Sequence, residues 1–147
     1  REGFKLAMDI SAYSFIKTIA AAKSLMKNGS SALTMTYYGA QKVMPNYRLM
    51  GVCKAALEAS VHELAADLGP DGIRINAISA GPIKTLAASG ISNFNDLLNG
   101  FEARTPLHRL CTTEDVGKSA VYLLSDMASA VTGEVHYVDC GFNVTGA

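Results

Sequence analysis

Apolar residues recur at steps of four and three through Leu6, Ile10, Tyr13 and Ile16, which predicts a helix from about Phe4 to Met26. Asn28-Gly29 ends it. Ser31 to Tyr37 reads as a short strand and Gly39 to Pro45 as a loop. Asn46 is placed to cap a long helix from Tyr47 to Leu68. The dense turn Gly69-Pro70-Asp71-Gly72 leads into a second strand, Ile73 to Ser79, which the Ala80-Gly81-Pro82 break closes. After a stretch rich in Ala, Ser, Gly and Asn from Leu86 to Asn95, a short helix reaches about Ala103. Thr112 with Asp115 three residues on forms a capping box that opens a helix to Ser125. Glu134 to Asp139 is the last strand, closed by Gly141.

Strand, long helix, strand within about fifty residues is a parallel βαβ unit, and a further helix and strand extend it. The fold class is therefore α/β, with an open parallel sheet and flanking helices. In such sheets ligands sit outside the carboxyl ends of the strands. Tyr37 stands at one such end and the Ala80-Gly81-Pro82-Ile83 loop at another. Tyr47 and Lys54 are seven residues apart, and seven steps of about 100° return nearly to the starting direction, so one helix face is expected to carry both. A phenol can donate to a substrate oxygen on which negative charge develops, and a nearby ammonium makes the phenol more acidic. Tyr and Lys on one helix face are common, so the surrounding sequence has to decide whether this is a site.

The 147 residues, 49% of them hydrophobic, suit one domain with a real core. No internal repeat or second domain is visible. Thirteen basic and thirteen acidic residues cancel, and no basic stripe carries interleaved aromatics, which argues against nucleic acid as the main partner. Apolar runs are short and interrupted, so no membrane span is expected. The three cysteines, Cys53, Cys111 and Cys140, are far apart and read as reduced thiols of a cytoplasmic protein. His62, His108 and His136 have no ligand spacing, and no metal is expected.

Two longer runs are specific. Tyr37-Tyr38-Gly39-Ala40, then Met44-Pro45-Asn46-Tyr47, then Met50-Gly51 to Lys54, resembles the enoyl-acyl-carrier-protein reductases of bacterial type II fatty-acid synthesis. So does the run from Asn76 through Ala80-Gly81-Pro82-Ile83-Lys84-Thr85 to Ile91. That family is a branch of the short-chain dehydrogenase/reductases, most of which place Tyr four residues before Lys. Here that position is Met50, and the wider spacing from Tyr47 to Lys54 matches the enoyl reductases. The resemblance covers nearly the whole chain and implies a Rossmann-like fold. Family members open with a strand and glycine-rich turn that meet the cofactor pyrophosphate. The chain has no such turn, so residues 1–147 are expected to form the C-terminal portion of a single domain, with a substrate-binding lid near 85–103. After the last strand the family's usual Asp-Gly-Gly is Asp139-Cys140-Gly141. That departure is expected to alter local backbone or subunit packing rather than catalysis.

The resemblance implies reduction of the trans-2 double bond of an enoyl thioester by a nicotinamide cofactor, NADH, with NADPH left open. Tyr47 would donate to the thioester oxygen, and Lys54 would bind the nicotinamide-ribose hydroxyls. Tyr37 would line the same pocket, and Thr36 takes the place of a serine found in other branches. Pro82 and Ile83 would set backbone against the nicotinamide carboxamide, with Thr85 on a cofactor phosphate. Met50, Ala87, Ala88, Ile91 and Phe94 would face the acyl chain. The implied partners are an acyl-carrier protein and three further copies of the chain in a homotetramer. Two alternatives stand beside this: a relative acting on ketones or alcohols, and an inactive truncated chain.

Overall fold

The computed structural model describes residues 1–83 and 94–145. The first helical stretch is α1 (Glu2–Met8), a π turn (Asp9–Tyr13), α2 (Ser14–Ala22) and a 3₁₀ turn (Lys23–Leu25). Strand β1 (Ser31–Thr36) follows, then α3 (Leu49–Leu68) and β2 (Arg74–Ala80). The last elements are α4 (Phe94–Arg104), α5 (Thr113–Leu124) and β3 (Val135–Val138).

The three strands form one parallel sheet in the order β1-β2-β3, so β2 is central and β1 lies at an edge. The register pairs Thr36 with Ser79 and Ala80 with Val138, which brings the carboxyl ends of all three strands to one rim. Helices cover both faces of β2, and every residue from Arg74 to Ser79 is buried. On the α3 face, Ile75 and Ala77 join Ile19, Val61, Ala65, Leu68 and Ile73 in the main apolar cluster. On the α5 face the strand carries polar residues with complete local partners. The Arg74 guanidinium donates to the carbonyls of Leu123, Ser125 and Val131. Asn76 donates to the Val131 carbonyl and accepts from the Glu134 amide. These bonds satisfy chain that leaves α5 and enters β3, where the backbone has no ladder of its own. Gly72, at φ 70°, makes the left-handed turn that feeds β2.

Two expectations change. The long helix begins at Leu49, and Asn46 does not cap it: Asn46 and Arg48 both take positive φ, 63° and 42°, which breaks helical geometry on either side of Tyr47. The apolar stripe of the first helix also points outward. Leu6, Ile10 and Tyr13 are more than half exposed, while Ala12 and Ile19 are buried. The π turn between them widens the helix and shifts its phase.

The capping box is present as read: Thr112 Oγ1 accepts from the Asp115 amide, and Asp115 accepts from the Thr112 amide. Arg109 completes it with a 2.7 Å ion pair to Asp115. Cys140 takes φ 57° beside Gly141 at 87°, so the cysteine occupies a left-handed position that glycine suits better. Among the described residues, no helix is long and apolar enough to cross a membrane. The fold is an open, Rossmann-like parallel sheet with flanking helices.

Candidate active site

The rim at the ends of β1 and β2 gathers the residues with chemistry. Tyr37 follows β1 in extended conformation, and a 3₁₀ turn from Tyr38 to Ala40 reverses the chain onto α3. A carbon added at Gly51 would lie 2.6 Å from the Gly39 carbonyl oxygen, so helix and turn touch backbone to backbone. A carbon added at Gly39 would run into the Tyr47 ring and lie 3.2 Å from that of Tyr37. Two glycines thus clear the space in which the two tyrosines meet.

Tyr47 sits in the turn before α3 rather than on the helix, and its carbonyl accepts from the Met50 amide at 2.9 Å. Helical periodicity is therefore not what relates it to Lys54. The turn brings its ring edge to face with Tyr37, centroids 4.8 Å apart. Burial, with Tyr47 as a second phenol close by, pushes the Tyr37 hydroxyl well above the usual phenol range. Burial, together with the Cys53 thiol, pushes Tyr47 up to about 12. Both phenols are held as O–H donors.

Lys54, on α3, donates from Nζ to the Met35 carbonyl at 2.9 Å. Burial lowers its affinity for the proton, while Cys53 and Glu58 favour the charged form. An ammonium has three N–H donors, so two remain for other oxygens. Thr36 Oγ1 donates to Glu58 Oε1 at 2.8 Å. Met50 points its sulfur towards Ser11 of the first helix, 4.0 Å from Oγ. Beside Tyr47 a cleft of about 460 Å³ opens between Met44, Val52 and Ala55.

Gly81, Pro82 and Ile83 leave β2 at the same rim, half-buried. The Gly81 amide donates to the Val138 carbonyl, and a carbon added there would lie 3.2 Å from Asp139 Cα and 3.3 Å from Cys111 Sγ. Thr85, Ala87, Ala88 and Ile91 lie outside the described residues, as does the side chain of Phe94. Sequence reasoning missed Gly39, Gly51 and Glu58. A glycine inside a strong helical run was the available sign for Gly51. A carboxylate one turn after Lys54, between Leu57 and Val61 on an apolar face, was the sign for Glu58.

The model of the enoyl-(acyl carrier protein) reductase family matches residues 1–143. The chain is 57% identical over 146 residues to the enoyl-[acyl-carrier-protein] reductase [NADH] FabI of Rickettsia prowazekii, covering 99% of this chain and 56% of that protein. It is 53% identical to the Escherichia coli K12 protein of the same name, covering 98% of this chain and 55% of that one. The crystal structure of the enoyl-[acyl-carrier-protein] reductase (NADH) of Aquifex aeolicus superposes with a TM-score of 0.96 at 50% identity, over all of this chain and 57% of that one. The Bacillus cereus enoyl-acyl carrier protein reductase, solved with NADP+ and indole naphthyridinone, gives 0.97 at 52% identity, covering 100% of this chain and 57% of that chain. The chain thus spans about half the length of the curated relatives it matches. With the family model matched across nearly its whole length, the chain belongs to the enoyl-(acyl carrier protein) reductase family.

Proposed function

We propose that the chain is the C-terminal portion of a single short-chain dehydrogenase/reductase domain that reduces the trans-2 double bond of enoyl-acyl-carrier-protein thioesters in fatty-acid elongation. The observation that carries this reading is the pairing of the Tyr37 and Tyr47 phenols at the end of β1, two residues beyond the carbonyl that holds Lys54.

The residues fit a nicotinamide cofactor. Lys54 has two N–H donors left for ribose hydroxyls, and the Gly81-Pro82-Ile83 backbone lies at the carboxyl end of the central strand, the usual ligand side of such a sheet. When bound, a nicotinamide cofactor, NADH as in the names of the relatives, would supply a hydride to the β-carbon of the substrate. The remaining task falls to the chain. Charge would move onto the thioester oxygen as an enolate, which the Tyr47 O–H stabilises until a proton is delivered to the α-carbon. Lys54 orients the ribose, while the Tyr47 phenol, raised by burial rather than acidified by the ammonium, stays protonated. Tyr37 walls the pocket and fixes the Tyr47 ring edge-on. Thr85 serves a cofactor phosphate, and Met50, Ala87, Ala88, Ile91 and Phe94 line the acyl path.

An acyl-carrier protein delivers the substrate, and the enzyme works in the cytoplasm as a homotetramer. The exposed stripe of Leu6, Ile10 and Tyr13 supports self-association, since exposed apolar residues in a row are what an interface covers.

The test is NADH oxidation by the whole enzyme, of which this chain is the C-terminal portion, with a trans-2-enoyl thioester and, separately, with a ketone. Consumption with the thioester alone is expected. Consumption with the ketone alone would assign the chain to the ketone- and alcohol-acting branch instead.

A further inference from the structure

Glu58 is a buried carboxylate that the reaction described above does not use. It is 7% exposed and lies one helical turn beyond Lys54 on α3. Its two oxygens take separate donors: Thr36 Oγ1 at 2.8 Å on Oε1 and Gln41 Nε2 at 3.3 Å on Oε2. Among the described residues no cation pairs with it within 4.0 Å. Burying a carboxylate without a cation is unfavourable, and the hydrogen bonds donated by Thr36 and Gln41 are what offset that cost.

The partners of Glu58 show what it does. Met35 and Thr36 are consecutive residues at the end of β1, and consecutive turns of α3 hold them: Lys54 binds the Met35 carbonyl and Glu58 binds the Thr36 hydroxyl. Tyr37 is the next residue along. Gln41, the other donor, lies inside the segment that joins Tyr37 to Tyr47. Glu58 therefore ties the strand end, the turn and the helix together at one point.

We infer that Glu58 is a positioning residue: its carboxylate fixes Thr36 and Gln41, and through them holds the Tyr37–Tyr47 turn in register with Lys54. The negative charge also favours the ammonium of Lys54 against burial, so one group sets both geometry and charge. This deepens the enoyl-reductase reading and rests on it for its kinetic consequence.

The experiment uses the whole enzyme, of which this chain is the C-terminal portion, with Glu58→Gln and, separately, Thr36→Val, which keeps shape and removes the donor. In Glu58→Gln the charge is lost and one of the two acceptor positions becomes an N–H donor, so the Thr36 hydroxyl or the Gln41 amide must turn round to accept and the anchoring geometry changes. The expected result is a fall in kcat of about tenfold or more with KM for the enoyl thioester within about twofold. With ring-fluorinated tyrosine, the Tyr37 and Tyr47 resonances move while those of Tyr13 and Tyr122 stay. Thr36→Val reproduces the pattern, and the double variant is no worse than Glu58→Gln alone. An unchanged kcat with unmoved Tyr37 and Tyr47 resonances overturns the inference, as does a uniform shift of all tyrosine resonances. If the whole enzyme without substitutions reduces no enoyl thioester, the functional reading fails, and the tyrosine resonances still decide whether Glu58 positions the turn.

Discussion

The rings of Tyr37 and Tyr47 meet edge to face, 4.8 Å between centroids and 68° between planes. Each ring removes water from the other, and that burial is the first cause of both raised phenol affinities for the proton. The sign follows directly. The folded chain keeps both protons to about pH 12 or beyond, while the unfolded chain releases them from pH 10.0. Their contribution to stability is complete below pH 10 and is lost as pH rises from there towards 12. Phenolate absorbance from these two residues should therefore appear only as the chain unfolds in alkali. Titration of all six tyrosines at the ordinary value in the folded state would refute this.

A donor kept protonated over the working range suits Tyr47 for stabilising charge on a thioester oxygen. Tyr47→Phe removes the hydroxyl and keeps the ring contact with Tyr37. Loss of one oxyanion donor lowers kcat by about 100- to 1,000-fold, with little effect on binding of the ground-state substrate. Steady-state kinetics should show that split. A rise in KM with kcat preserved would mean that Tyr47 merely lines the pocket.

Lys54 titrates in the opposite direction. Burial lowers it from 10.5, opposed by Cys53 and Glu58, so its ammonium is lost at a lower pH than that of an exposed lysine. The phenols, raised above their own ordinary value, are still protonated there. The alkaline loss of cofactor affinity should therefore follow Lys54, with KM for NADH rising on the alkaline side while Tyr47 remains neutral. Lys54→Arg keeps the positive charge through that range and should move the alkaline limb to higher pH. An unmoved limb would show that another group governs it.

Much of this was legible because it is written in local chemistry. Strands β1, β2 and β3, the Gly69–Gly72 turn and the Thr112–Asp115 box each rest on residues close in sequence, whose propensities agree with the fold. The start of α3 was not legible. Asn46 has the chemistry of a cap, but the turn before α3 packs its Gly39 backbone against Gly51, and both Asn46 and Arg48 take positive φ there. That contact joins positions separated by a loop, and no period reveals it. For the same reason Tyr47 and Lys54 were placed correctly at one rim by a wrong route, a shared helix face. The stripe through Leu6 and Tyr13 revealed a helix but not which side it buries, because the π turn resets the phase.

The Gly39–Gly51 contact gives the sharpest test of how the site is built. In a helix interior, alanine in place of glycine ordinarily stabilises by roughly 1 kcal/mol. Gly117, on α5 with open space around it, should follow that rule, and Gly117→Ala should raise the melting temperature. Gly51→Ala places its new carbon 2.6 Å from a backbone oxygen, which cannot rotate aside as a side chain would. Moving the turn to relieve that contact costs about 1–3 kcal/mol, enough to cancel or outweigh the propensity gain. The same displacement carries Tyr37 and Tyr47 with it, so kcat should fall by about tenfold or more. Thermal unfolding and steady-state kinetics on both variants decide the matter. A Gly51→Ala chain as stabilised as Gly117→Ala, with its kcat intact, would mean that the turn is not held where its two tyrosines now stand.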